Sequence, residues 1–132
     1  FPYTTLFRSY LVRQQALKLG YNDAYFLNDA GVITECSSSN VFIKRGNVLM
    51  TSPQQEGLLP GIIRNKILQQ QKILKYKIKE EKITSTMLEQ AEGVFVCNSL
   101  IGLVGVNKID NIIYQHDAEL CNETNKLIGF VI

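Results

Sequence analysis

Every stretch of this sequence that is apolar enough to be buried is short. The runs AYFL, VI, VFI, VLM and VFVC are each closed within a few residues by charged or turn-forming residues. Such a chain can make short buried strands. It cannot make a membrane-spanning helix, which needs about 20 consecutive apolar residues. Between the short runs lie longer segments with helical spacing. Tyr10–Leu19 places Leu11, Ala16 and Leu19 near one face, with Gly20 as a stop. Gly61 opens a helix expected to run to about Lys75, carrying Ile62, Ile63, Ile67, Leu68 and Leu74. Thr84 is a good N-cap for a short helix to Gln90, and Asp117–Phe130 reads as a closing amphipathic helix.

The strands are expected at Ala24–Leu27, Val32–Glu35, Val41–Lys44, Val48–Thr51, Tyr76–Glu81, Val94–Cys97, Leu103–Ile109 and Ile112–Tyr114. Arg45-Gly46-Asn47 closes a hairpin, and Asn28-Asp29-Ala30-Gly31 is a turn. Strands and helices alternate without a repeat or a linker, so the fold class is α/β, a mixed sheet with packed helices.

Composition narrows what such a domain can do. The chain has 132 residues, 45% of them hydrophobic, and its formal charge is +2. This offers no electrostatic reason to propose nucleic acid or a membrane as a partner. Cys36, Cys97 and Cys121 are odd in number and have no CxxC spacing. That argues against a disulfide framework and a zinc site, and fits a reducing, cytoplasmic setting. His116 is the only histidine, which excludes sites needing two. It is expected at a helix start, exposed and structural. Lys72–Lys82 mixes in Glu80 and Glu81 and reads as a solvated face.

Phe1–Ser9, FPYTTLFRS, stands apart. It resembles the in-frame translation of a common sequencing-adapter oligonucleotide. The nine residues are therefore expected to be foreign to the fold and to contribute little to its core. An ordinary loop or short strand is the alternative. On the first reading the native chain is cut before Tyr10.

Three loops carry small or special residues. Thr34–Asn40 (TECSSSN) puts an acid at the end of an apolar strand, followed by three hydroxyls. A buried Glu35 needs a cationic partner. An exposed Glu35 with the serines in a turn is the plain alternative. Gly57–Arg64 (GLLPGIIR) leads a Pro-Gly turn into a helix whose first N–H groups can receive a phosphate. It lacks the P-loop spacing, and from the local residues an ordinary helix start is the plainer reading. Cys97-Asn98-Ser99-Leu100 follows a buried strand, where Ser99 can offer a hydroxyl and an N–H to an anion. Cys97 is expected as a small buried hydrophobe.

Taken in order, AYFLNDAGVITECSSSNVFIKRGNVLMTSP, EGLLPGIIR and LEQAEGVFVCNSLIGLVGV resemble the class IV aminotransferases, the fold-type IV enzymes that use pyridoxal 5′-phosphate. The likeness covers about Leu11 to Ile109. Its CNSL segment is most like the aminodeoxychorismate lyase branch, while SSSN also occurs in D-amino-acid transaminases. The resemblance implies the large cofactor-binding domain, here 10–132. It implies that Glu35 pairs with the pyridine nitrogen, a contact that keeps the ring protonated and electron-withdrawing. Ile62 and Ile63 would cradle the phosphate through their N–H groups, Ile63 standing where a threonine is common. Ser99 would add a hydroxyl to the phosphate, and Ser38 would lie near the ring.

One departure is central. The family's lysine forms the Schiff base with the cofactor and moves the proton. It falls a few residues before the segment that starts here at Tyr10, where this chain has none; Lys18 is out of register. The family's small domain, which closes over the substrate, is not represented either. The implied parent acts on a small amino substrate, commonly as a homodimer. It would form 4-aminobenzoate and pyruvate from 4-amino-4-deoxychorismate, or act as a branched-chain or D-amino-acid transaminase. The chain by itself is expected to be a catalytically silent cofactor-binding fragment.

Overall fold

The computed structural model describes residues 2–130, with side chains from Ser9 onward. Helix α1 (Pro2–Lys18) ends in a paired cap. Tyr21 N–H reaches Ala16 C=O at 2.9 Å, and Gly20 N–H reaches Leu17 C=O at 3.1 Å. Gly20 takes φ +89, which this cap requires of its left-handed residue. The backbone of residues 2–9 thus continues the helix through Tyr10. The expected small core contribution of Phe1–Ser9 concerns side chains that, up to residue 8, lie outside the described residues.

Strands β1 (Tyr25–Leu27), β2 (Ile33–Cys36), β3 (Asn40–Arg45) and β4 (Val48–Thr51) run antiparallel in sequence order. Helix α2 (Ile62–Gln69) follows, then β5 (Lys72–Ile73) and β6 (Tyr76–Glu80), which lies parallel to β4. Helix α3 (Ser85–Gln90) leads into β7 (Gly93–Asn98), which pairs with β3 on one side and β8 (Gly102–Gly105) on the other. A two-stranded ribbon of β9 (Lys108–Ile109) and β10 (Ile112–Ile113) precedes α4 (Ala118–Leu127). The sheet is mixed and the class is α/β, as read from the sequence.

Both faces of the sheet are covered, which is why the middle of β3 (Val41–Ile43) and of β7 (Val94–Cys97) is continuously apolar. Phe42, Leu49, Phe95 and Cys97 pack with Ile63 and Ile67 of α2 and Leu120 and Cys121 of α4. Their neighbours Val41, Ile43, Met50 and Val94 point the other way, toward Ile33, Ile83, Leu88 and Tyr114. Successive residues thus serve two cores through the period of two.

Two elements differ from expectation. The helix opened at Gly61 ends at Gln69 instead of about Lys75. Gln71 and Leu74 adopt φ +62 and +53, and Ile73 pairs with Tyr76 across a tight hairpin. Leu74 is therefore a turn residue and 41% exposed. The expected strand Leu103–Ile109 is broken after Gly105, because its end folds back against Ile112 and Ile113 as a separate ribbon. Thr84 caps α3, accepting from Met87 N–H at 3.2 Å. Asp117 caps α4 through Leu120 N–H at 3.1 Å, and its other oxygen accepts from Lys44 Nζ at 2.7 Å. His116 is exposed. No helix of the described residues is long and apolar enough to cross a membrane.

Candidate functional site

The three singled-out loops are joined by two asparagines. Asn40, 5% exposed, sits directly across from Glu35 in the β2–β3 pairing and from Cys97 in the β3–β7 pairing. Its Nδ2 donates to Leu59 C=O at 2.8 Å, and its Oδ1 accepts from Gly61 N–H at 3.1 Å. Glu35 Oε1 accepts from Leu59 N–H at 2.6 Å. The first loop therefore grips the second over its last residues before α2.

Asn98 does the same for the third loop. Its Nδ2 donates to Ser38 C=O at 3.0 Å, while its Oδ1 accepts from Leu100 N–H at 2.9 Å and Ile101 N–H at 3.1 Å. Ser99 is exposed at the tip of this turn. Gly102, at φ +66, closes it where a Cβ would come within 2.6 Å of Asn125 Oδ1. Ser38 is exposed, and its hydroxyl accepts from Arg13 of α1 at 3.2 Å.

Helix α2 begins at Gly61 with no side-chain cap. Its first-turn N–H groups, those of Ile62 and Ile63, are left for another acceptor, and the helix dipole favours an anion there. The two isoleucines divide their work. Ile63 is 6% exposed and packs in the core, whereas Ile62 is 66% exposed. At position 63 the side chain anchors the helix, and only its backbone can serve a ligand. Arg64, 2% exposed, ties the same turn to the ends of two strands. Its Nη2 lies 3.0 Å from both Ser52 C=O and Glu80 Oε2.

Burial pushes the Glu35 carboxyl above its ordinary range, and the Leu59 N–H pulls it part of the way back. No cation compensates it among the described ion pairs. Burial raises Cys97 to about 12, so this thiol is not a nucleophile at neutral pH. Cys36 is also raised to about 12, by burial first and then by the nearby Asp23 charge.

Glu35 is thus bonded directly to the approach to α2, and Ser38 to the turn that bears Ser99. Ser99 and the start of α2 are connected through β7, on which α2 packs. A separate cavity of about 970 Å³ lies between α1 and the other face of the sheet, against Ala16, Ile33, Val41 and Val94. It takes in Cys36 and Ser39 but none of Glu35, Ser38, Ile62, Ile63 and Ser99. Sequence reasoning passed over Asn40, Asn98 and Arg13. For the two asparagines the available signal was an amide at the start of one buried apolar strand (Asn40 of β3) and at the end of another (Asn98 of β7), where an unbonded polar group is costly.

The family profile described as amino-transferase class IV matches residues 3–109. The chain belongs to the class IV aminotransferase family. A Rickettsia bellii protein assigned as a branched-chain-amino-acid aminotransferase is 35% identical over 98 residues, 74% of this chain and 34% of that protein. This class IV chain therefore spans about a third of the length of such curated relatives. Its fold superposes with TM-score 0.84 on a Legionella pneumophila protein assigned as a 4-amino-4-deoxychorismate lyase. That pair is 31% identical, and the match covers 94% of this chain and 46% of the other. A branched-chain aminotransferase of Thermobaculum terrenum, solved in its pyridoxal-phosphate holo-form, superposes with TM-score 0.82 at 25% identity, covering 96% of this chain and 44% of that one. Class IV enzymes use pyridoxal phosphate and act on small amino substrates.

Proposed function

We propose that residues 10–132 form the cofactor-binding domain of a pyridoxal-phosphate enzyme, with Glu35, Ser38, Ile62, Ile63 and Ser99 around the cofactor. The observation that carries this reading is the grip of Glu35 and Asn40 on Leu59 and Gly61. It sets a half-buried acid beside a helix start with open N–H groups. The residues fit the group chemically. An acid raised by burial and with no cation paired to it among the described residues suits a pyridinium, and uncapped N–H groups at a positive helix end suit a phosphate.

When bound, the cofactor withdraws electrons from the α-carbon of an amino substrate. Glu35 would hold the proton on the ring nitrogen, an ion pair that offsets the burial of its own charge. The N–H groups of Ile62 and Ile63 and the Ser99 hydroxyl would orient the phosphate and so fix the ring in register with Glu35. Ser38, held by Arg13 and by the Asn98 contact, would border the ring.

We assign the parent activity to 4-amino-4-deoxychorismate cleavage, on the strength of the Cys97–Leu100 segment and the Legionella likeness. Amino transfer to a 2-oxo acid is the second reading, favoured by the Rickettsia relative. For either activity the family's lysine would precede Tyr10, and residues 1–9 carry none. We regard that segment as foreign even though the family profile begins within it at residue 3 and its backbone continues α1, and re-sequencing of the locus tests it. Binding is tested by equilibrium dialysis of the chain against pyridoxal phosphate. Wild type should retain the cofactor and Glu35→Ala should retain much less. Equal retention by the two would remove Glu35 from the site.

A further inference from the structure

Asn40 is a buried polar side chain to which this reading assigns no contact with the cofactor. Both ends of its amide are spent on one tripeptide, Leu59-Pro60-Gly61, with Nδ2 on Leu59 C=O and Oδ1 on Gly61 N–H. Pro60 between them has no N–H and a fixed φ. The remaining polar group of the approach, Leu59 N–H, is on Glu35. The next two N–H groups along the chain are the open ones of Ile62 and Ile63. Two side chains facing each other across one strand position thus hold the whole lead-in to α2.

We infer that Asn40 is a positioning residue that sets the distance between Glu35 and the first N–H groups of α2, and that it makes glycine obligatory at position 61. The inference rests on the reading of those groups as ring acid and phosphate cradle. Gly61 has φ −71 and ψ 158, a conformation open to any residue. Its smallness is nevertheless required, because a Cβ there would lie 2.5 Å from Asn40 Oδ1. Aspartate cannot replace the asparagine. It has no proton to donate to Leu59 C=O, and it would set a second carboxylate opposite Glu35. A ligand recognised at two points gains affinity when their spacing is fixed in advance.

The test compares pyridoxal phosphate with pyridoxal, which lacks only the phosphate, by equilibrium dialysis of the intact chain. Wild type should prefer the phosphorylated form. Asn40→Ala should lose about tenfold of that preference, the scale of one hydrogen bond to a charged group, with pyridoxal affinity little changed. Gly61→Ala, which keeps the amide but displaces it, should move the ratio the same way. The double variant should be no worse than Asn40→Ala alone. An unchanged ratio in variants that only melt at lower temperature would make Asn40 merely structural and overturn the inference. Should Asn40→Ala fail to fold, the Gly61→Ala ratio decides. If wild type itself does not distinguish the two ligands, the cradle reading fails and the positioning role fails with it. Thermal melts of the four proteins without ligand identify that case. Gly61→Ala would still destabilise wild type and spare the Asn40→Ala background.

Discussion

Glu35 and Asp117 are both carboxylates, and the structure drives them in opposite directions. Burial holds the folded pKa of Glu35 above its ordinary 4.5. As pH rises from 4.5 through that raised value, the unfolded chain has lost the proton and the native chain still binds it. Stability therefore falls across this window. Glu35→Gln should unfold at higher urea than wild type at pH 7 and at nearly the same urea at pH 3, as denaturant melts at the two pH values will show. Asp117 is different. Burial alone would raise it, but the Lys44 hydrogen bond, the Leu120 N–H and the Lys44 charge together bring it below 3.8. Its contribution is present above 3.8 and is lost as pH falls through the lowered value. Lys44 is its partner. Burial opposes its charge, the Asp117 contact more than restores it, and its pKa rises above 10.5. The two side chains are only 13% and 20% exposed. Asp117→Ala removes a helix cap and leaves Lys44 poorly solvated. It should cost about 2–3 kcal/mol at pH 7 and progressively less as pH falls through the lowered value.

At the scale of elements, caps and special glycines decide where the chain turns. Thr84→Ala should lower stability by about 1 kcal/mol, because Met87 N–H then loses its acceptor. Thermal melts will measure it. Gly102→Ala should cost considerably more. Its φ of +66 disfavours a side chain, and the added Cβ would meet Asn125 and Phe130 within 3 Å. Asn125 holds Leu103 through two hydrogen bonds, so this change should disturb the β7–β8 turn and reduce cofactor retention as well as stability. The same reasoning explains the elements that departed from expectation. Leu74 continues the helical spacing of α2, but Ile73 gains more by pairing with Tyr76 and entering the core.

At the scale of the molecule, the two-sided core makes the sheet a rigid base from which three loops project. Phe42 and Phe95, paired across β3 and β7, are 0% and 1% exposed. Phe95→Ala should cost about 3–5 kcal/mol and loosen every loop together. Activity is a separate matter from this scaffold. Incubated with pyridoxal phosphate and reduced with borohydride, the chain should yield no single stoichiometric lysine adduct, and it should turn over neither the lyase nor the transaminase substrates. Nucleophilic catalysis by an amine needs that amine held at the cofactor aldehyde, and no lysine stands in the nine residues before Tyr10. One mapped adduct with turnover would show that another lysine has taken the role.

Much of this was legible in the sequence because it is local. Short continuous apolar runs marked the strands of both cores, Thr84 and Asp117 marked helix starts, and the order of TECSSSN, GLLPGIIR and CNSL pointed to the family. Each of these is a property of consecutive residues and their backbone preferences. What the tertiary structure decided lies between distant residues. Only the pairing of β3 with both β2 and β7 sets Asn40 opposite Glu35 and Cys97. Only folding brings its amide to Leu59 and Gly61, some twenty residues on. Where α2 stops was settled in the same way, since propensity is worth a fraction of a kcal/mol per residue and burial of Ile73 several times that.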